Sequence, residues 1–296
     1  MTESVRTGLA RATPMNGPAR VVENRPVVPG GAILGLELDW ALPAPRAGQF
    51  VHLRIGSSPL LRRPFSVLGH AAEGDGSRIE LMYAVVGEGT ALLARLAPGE
   101  EIEVLGPLGN GFELGEARSL VLVAGGRGAV PLYRLIESGE AGERPMRFLF
   151  GARSGAFLWG RERLGGVEHR LVTDDGSVGR RGTVIDLLRD ELEEPAADGK
   201  GTLVLACGPE VMLRRVSETA RELGVESQVA LESPMGCAIG ICRGCVIPRH
   251  VLSDVPWPRD GNARYATVCK EGPVFLGEEV DWDALERAYG GGGHSV

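Results

Sequence analysis

The chain has 296 residues, with 43% hydrophobic and 24% charged side chains and a formal net charge of −7, a balance that fits two or three globular domains, each able to bury a core. The acidic excess and the lack of a basic stripe argue against a nucleic-acid partner, and no apolar run is long enough to span a bilayer. The first 18 residues lack the apolar core of a secretory signal, so a cytoplasmic, reducing setting is expected, with the five cysteines as thiols or thiolates rather than disulfides.

Both ends, 1–18 and the tail GGGGHSV, read as loose termini. From 19 to 115 the pattern is β. In LGLELDW, Leu34, Leu36, Leu38 and Trp40 alternate with Gly35, Glu37 and Asp39; in VHLRI, Val51, Leu53 and Ile55 alternate with His52 and Arg54. RIELMYAVV and EEIEVLGPL continue the theme. Period-2 runs separated by Gly and Pro predict half-buried antiparallel strands, and several at short spacing predict a closed barrel. On that barrel RRPFSV supplies Arg63 and Ser66, and VVGEGTALLARL supplies Gly87, Gly89 and Thr90 just ahead of a helix-like run. A glycine-rich approach to a helix start suits a phosphate. Together these residues fit a cofactor with a polar ring edge and a pyrophosphate, although an Arg-Pro turn before an apolar strand is also a common feature of folds.

From 116 to 224 the grammar changes. SLVLVAGG, RFLFGAR, HRLVTDDG and TLVLACGP are short apolar strands; AVPLYRLIESG, TVIDLLRDELE and EVMLRRVSETARELG are amphipathic helices between and after them. Such alternation predicts a parallel sheet with right-handed crossovers. In VLVAGGRGAVPLYRL a buried strand runs into Gly125, Gly126 and Gly128, and Pro131 falls in the first turn of the next helix, where it costs no hydrogen bond. The arrangement is that of a nucleotide-binding strand–loop–helix or, more plainly, of a tight turn between strand and helix.

From 225 to 296 there is little regular pattern, but four cysteines. CAIGICRGC places Cys237, Cys242 and Cys245 at C-x4-C-x2-C, and Cys269 follows after 23 residues. Zinc ribbons usually bring two C-x2-C pairs, whereas a triplet plus a distant cysteine is the plant-type ferredoxin spacing for a [2Fe–2S] cluster. Gly236, Gly240 and Gly244 suit a loop that curls round a cluster with its amides toward the sulfurs. A zinc site stays open as the alternative, and Cys207, far from the triplet, is not counted as a ligand.

R-P-F-S, G-E-G-T, A-G-G-x-G-x-x-P-L and C-G-P, in this order, resemble the ferredoxin–NADP reductase superfamily. ESPMGCAIGICRGC with VCKEGPVF, and TDDGSVGRRGTVIDLL upstream, resemble the electron-transfer subunits of NAD-linked dihydroorotate dehydrogenases, over roughly 19–285. The resemblance implies a β plus α/β multidomain chain: an antiparallel barrel for FAD at 19–115, a parallel-sheet NAD domain at 116–224 and a small [2Fe–2S] domain at 225–296. It implies that Arg63, Pro64, Phe65 and Ser66 contact FAD, with Ser66 near its reactive edge. Met82, Tyr83 and Ala84 would line the flavin, and Gly89 and Thr90 would hold its pyrophosphate. Gly125, Gly126 and Gly128 would face NAD, Cys207 would lie near the hydride-transfer position, and Cys237, Cys242, Cys245 and Cys269 would hold the cluster. Two features depart from the family pattern: Arg127 in the glycine loop, and an apparent insertion, HVLSDVPWPRDGNARY, before Cys269.

The function so implied is a relay. Nicotinamide exchanges a hydride, a [2Fe–2S] cluster one electron, and FAD converts between them. The partner would be an FMN-containing subunit that oxidises dihydroorotate to orotate in pyrimidine biosynthesis, in a heterotetramer, docked over Cys237–Cys245 on an apolar rim of Met235, Ala238, Ile239 and Ile241. NAD is expected over NADP, although Arg127 and Arg153–Ser154 offer contacts to a 2′-phosphate. Two alternatives stand beside this one: a sister subunit of a sulfide- or hydrogen-linked oxidoreductase, and a non-redox protein with a zinc knot and a nucleotide-sensing sheet.

Overall fold

Alternating sequence builds the first layer of the computed structural model, which describes residues 12–56, 61–193, 201–250 and 264–289. Strands β1 (Met15–Val28), β2 (Gly31–Leu38), β3 (Phe50–Arg54), β4 (Arg63–Glu73), β5 (Gly76–Ala84) and β6 (Glu101–Leu108) close into a barrel in the order β1-β2-β5-β4-β3-β6. Leu34, Leu36, Leu38, Val51, Leu53, Val67, Ile79 and Val104 fill the interior, and a short helix, α1 (Glu88–Leu93), adds Leu93 to it.

Three expectations are corrected at this level. Residues 15–18 are not a loose terminus: Met15 to Pro18 pair with Gly106 to Glu103 of β6. Trp40 stands beyond the end of β2, where its indole N–H donates to the Pro18 carbonyl at 2.7 Å instead of continuing the alternation. The face of β3 opposite Val51 and Leu53 is not uniformly solvated, because a segment arriving from the cysteine region covers it, and His52 is only 1% exposed.

The second layer is a sheet whose two central strands, Ser119–Gly125 and Thr202–Cys207, are almost wholly apolar and buried. β7 (Ser119–Gly125), β8 (Met146–Ala152), β9 (Glu168–Thr173) and β10 (Arg180–Arg181) lead to β11 (Thr202–Cys207) and β12 (Glu226–Ala230). Period 2 sorts the side chains to two covered faces. Leu120, Leu122, Ala124, Phe148 and Phe150 pack against α2 (Ala129–Ser138), and Val121, Val123, Leu149 and Val204 pack against α3 (Val184–Glu193) and α4 (Glu210–Glu222). After α4 and β12 come the short strands β13 (Val246–Pro248), β14 (Tyr265–Thr267) and β15 (Val274–Leu276), then helix α5 (Trp282–Tyr289).

The order across the large sheet is β10-β9-β8-β7-β11-β12-β15, parallel except for β15. Two of its strands, β12 and β15, thus come from beyond residue 224. β13 and β14 pair separately. The proposed insertion leaves that pair: the Arg249 amide donates to the Arg264 carbonyl at 2.9 Å, and 251–263 between them lies outside the described residues, as do 1–11 and the tail from 290. Strand order reverses at β7 and β11, and ligands of open α/β sheets bind outside the carboxyl ends of strands at such a point. Among the described residues no helix is long and apolar enough to cross a membrane.

Candidate functional site

A cleft of about 610 Å3 opens where β4, β5 and α1 of the barrel meet the carboxyl ends of the sheet strands and the cysteine segment. Arg63, Pro64, Phe65 and Ser66 line it from β4, and Met82, Tyr83 and Ala84 from β5. Gly89 and Thr90 line it from α1, and Cys207 from the end of β11. Antiparallel pairing explains the convergence: Ser66 pairs with Phe50, another wall residue, and Phe65 meets Tyr83 edge-on at 6.3 Å. The Tyr83 hydroxyl donates to Asn24 Oδ1 at 2.8 Å, and the Asn24 amide donates to the carbonyls of Leu93 and Leu96, so the wall is tied to the end of α1.

Arg63 lies across the start of α1. A Cβ at Gly89 would stand 2.8 Å from its Nε, so glycine there lets the guanidinium meet the first helical turn. The Thr90 hydroxyl accepts from the amides of Val86 and Gly87 at 2.9 and 3.2 Å and shapes the turn. A cation against such a turn suits a phosphate group, and the remaining wall is mostly apolar, as a ring system needs.

Gly125, Gly126 and Gly128 are not on the wall. They let backbones approach. A Cβ on Gly128 would collide with the Cys207 carbonyl, and one on Gly125 would meet Met212. Gly126 is left-handed at φ +54, and its carbonyl accepts from Trp159 Nε1 at 3.2 Å. From the same turn Arg127 does reach the cleft. Glu232, just past β12, lines the cleft as well. The Cys207 thiol is pushed well up by burial, then by Glu232, with the Gly208 amide opposing. Glu232 is open to the cleft but crowded by its walls, which hold its carboxyl above the usual range against the pull of Arg127. Sequence reasoning singled out Arg127 but missed Glu232; the available signal was its position just past an apolar strand end.

Beside this cleft the four cysteines approach one another as two pairs, Cys237 with Cys242 and Cys245 with Cys269, and among the described residues no three His, Cys, Asp or Glu side chains stand grouped to hold a metal ion. The Cys242 amide donates to Cys237 Sγ at 3.4 Å, and the Gly244 amide to Cys242 Sγ at 3.5 Å. To turn these amides inward the loop takes left-handed backbone at Ala238 (φ 58), Gly240 (φ 83) and Arg243 (φ 53). The Val268 amide donates to the Cys245 carbonyl at 2.9 Å, which brings Cys269 beside Cys245. The Cys269 thiol, itself held well up, donates to Cys245 and lowers that thiol to about 6. Burial raises Cys237, but the amides of Cys242, Ile239 and Ile241 outweigh it and bring the thiol down to about 7. Four soft sulfur donors, two of them, Cys237 and Cys245, lowered by donors aimed at their sulfurs, suit an iron–sulfur cluster. Cys245 and Cys269 are buried, whereas Cys242 is exposed and lines the cleft together with Gly236 and Gly244. Of the expected apolar rim, Ile239 and Ile241 are 44% and 78% exposed. Met235 and Ala238 are buried instead, packed into the core beneath the loop.

Residues 232–281 match the family described as the iron–sulfur cluster binding domain of dihydroorotate dehydrogenase B. The dihydroorotate dehydrogenase B (NAD(+)) electron transfer subunit of Caldanaerobacter subterraneus subsp. tengcongensis is 33% identical over 263 residues, 88% of this chain and 97% of that protein. Among solved structures, an NADH-dependent reduced ferredoxin-NADP oxidoreductase, studied for flavin-based electron bifurcation, superposes with a TM-score of 0.77 at 26% identity, covering 95% of this chain and 93% of its own. A ferredoxin NADP+ reductase from Neisseria gonorrhoeae with bound FAD and NADP shares the fold, with a TM-score of 0.58 at 19% identity over 71% of this chain and 92% of that one.

Proposed function

The chain belongs to the family of dihydroorotate dehydrogenase B electron-transfer subunits, and on that premise we propose that its cleft and its cysteine loop form one electron path between a dihydroorotate-oxidising partner and NAD. The chain is an oxidoreductase subunit of pyrimidine biosynthesis that uses FAD, a [2Fe–2S] cluster and NAD. When bound, FAD supplies the exchange between hydride and single electrons that nicotinamide and cluster each lack.

The residues do the placing. Arg63 and the Gly89–Thr90 turn hold the flavin phosphates, and Phe65, Tyr83, Met82 and Ala84 confine its ring. Ser66 and Cys207 would border the approach of nicotinamide, which would accept or donate the hydride, and the Gly125–Gly128 turn would shape that approach. Cys237, Cys242, Cys245 and Cys269 hold the cluster, and Pro64 completes the flavin wall. The observation that carries this reading is Cys242, which belongs to the cysteine set and also lines the cleft. Wall and cluster therefore share a residue, and no solvent layer need separate them.

The partner is a dihydroorotate dehydrogenase catalytic subunit. In our reading it contains FMN, forms a heterotetramer with this chain in the cytoplasm, and docks over Ile239 and Ile241. Reading the chain as a sister subunit or a zinc knot fits less well with relatives of this name across nearly the whole chain. Anaerobic purification tests the proposal: flavin absorption, iron and acid-labile sulfide are expected, and a colourless zinc protein would contradict it.

A further inference from the structure

We propose that His52 is a redox-linked proton site at the seam between barrel and cysteine segment: its buried imidazole takes a proton when an electron arrives on the adjoining centres and returns it when the electron leaves. The inference rests on the electron-transfer reading above and adds a residue to it.

His52 lies on the outer face of β3, between Pro64 and Leu105 on the neighbouring strands, and is only 1% exposed. Neither ring nitrogen has a hydrogen-bond partner. Buried side-chain nitrogens are rarely left so, because an unmatched polar atom carries its whole desolvation cost. The groups in reach explain the mismatch. The carbonyls of Arg62 and Met235 face the ring without closing a hydrogen bond. Both are acceptors. A neutral imidazole has one N–H and one bare nitrogen, so it suits only one of them. An imidazolium has two N–H groups and suits both. The two carbonyls therefore match the charged ring, whereas the burial and the neighbouring cations favour the neutral one. Burial lowers its pKa to about 4, and the guanidiniums of Arg62 and Arg63 repel a further positive charge. Arg62 cannot easily withdraw, since it is bonded to Asn16 and Glu103.

Such a balance tips when negative charge is added nearby. Met235 lines the cleft, and Cys237 follows two residues later. Phe50, on the same face of β3 as His52, also lines the cleft. An electron on the cluster or in the cleft thus offsets the two guanidiniums. The step balances: one electron enters from the donor, one proton enters from water onto a ring nitrogen, and both leave on reoxidation. The proton also closes the ring's two hydrogen bonds, joining the Arg62 end of β4 to the segment that carries Cys237.

The test is a redox titration of the cluster in the loaded protein, followed by electron paramagnetic resonance between pH 5 and 8. In the wild type the midpoint potential should rise as pH falls, by up to about 59 mV for each tenfold rise in proton concentration. His52→Gln keeps an amide donor toward the carbonyls but cannot titrate, and its potential should be level over the same range. A level wild-type potential, or an equal slope in His52→Gln, overturns the proposal. Should His52→Gln lose its cluster, the reduced-minus-oxidised infrared spectrum of the wild type decides: imidazolium bands support the site, and their absence overturns it. A wild-type protein that holds no cluster contradicts the electron-transfer reading, and this proposal falls with it; a cluster with a level potential contradicts His52 alone.

Discussion

Arg63 is the cation in contact with the first turn of α1, and only the missing side chain of Gly89 lets it lie there. Arg63→Ala removes a charge-assisted contact worth about 1.5–3 kcal/mol, so FAD should be lost on gel filtration at dilutions where the wild type keeps it; equal retention would move the flavin elsewhere. The cysteines separate by environment in the same way. Cys207 is a fully packed thiol pushed well up by burial, whereas Cys237 and Cys245 are brought down by donors aimed at their sulfurs. Cys242→Ser should lower iron content while FAD stays, and Cys207→Ser should leave iron unchanged. Iron retained in full by the first variant would remove Cys242 from the ligand set.

At the scale of elements, the Cys237–Cys245 loop buries Met235 and Ala238 and leaves Ile239 and Ile241 outside. Aspartate at Ile239 or Ile241 should weaken assembly with the catalytic subunit while iron, FAD and NADH–dye activity survive; unaltered assembly would place the docking face elsewhere. The barrel strands and the apolar strands of the sheet were legible because each obeys period 2 with one partner face or two. β12 was not, since Ser227 and Gln228 in ESQVA look like a loop. Both are buried, and Gln228 exchanges hydrogen bonds with the Glu113 backbone at 2.6 and 3.0 Å, a partner 115 residues away that local pattern cannot reveal. His52 was obscure for the same reason: its cover comes from Met235. The C-x4-C-x2-C triplet was legible as a candidate ligand set because its three cysteines lie together in sequence. Glu232 did not, because its neighbours in the cleft, Arg127 and Cys207, come from other strand ends.

Across the whole molecule, the cleft exists only because three regions are fixed to one another. Arg163 joins Glu80 of the barrel to Glu137 of α2 at 2.7 and 2.8 Å, and Arg134 donates to the Pro45 carbonyl at 3.0 Å. Asn110, after the last barrel strand, donates to the carbonyls of Glu271 and Val274 and accepts from the Val274 amide, which pins the barrel to the segment after Cys269. Cleft wall and cysteine loop are thereby held side by side, as the proposed path requires. The most direct measurement of that path is NADH formation from dihydroorotate and NAD+ by the catalytic subunit, with and without this chain. NADH is expected only when both chains are present, and its formation should be lost when Cys242→Ser replaces the wild type. NADH formed by the catalytic subunit alone at the same rate, or formed undiminished with the cysteine variant, would contradict the proposed path.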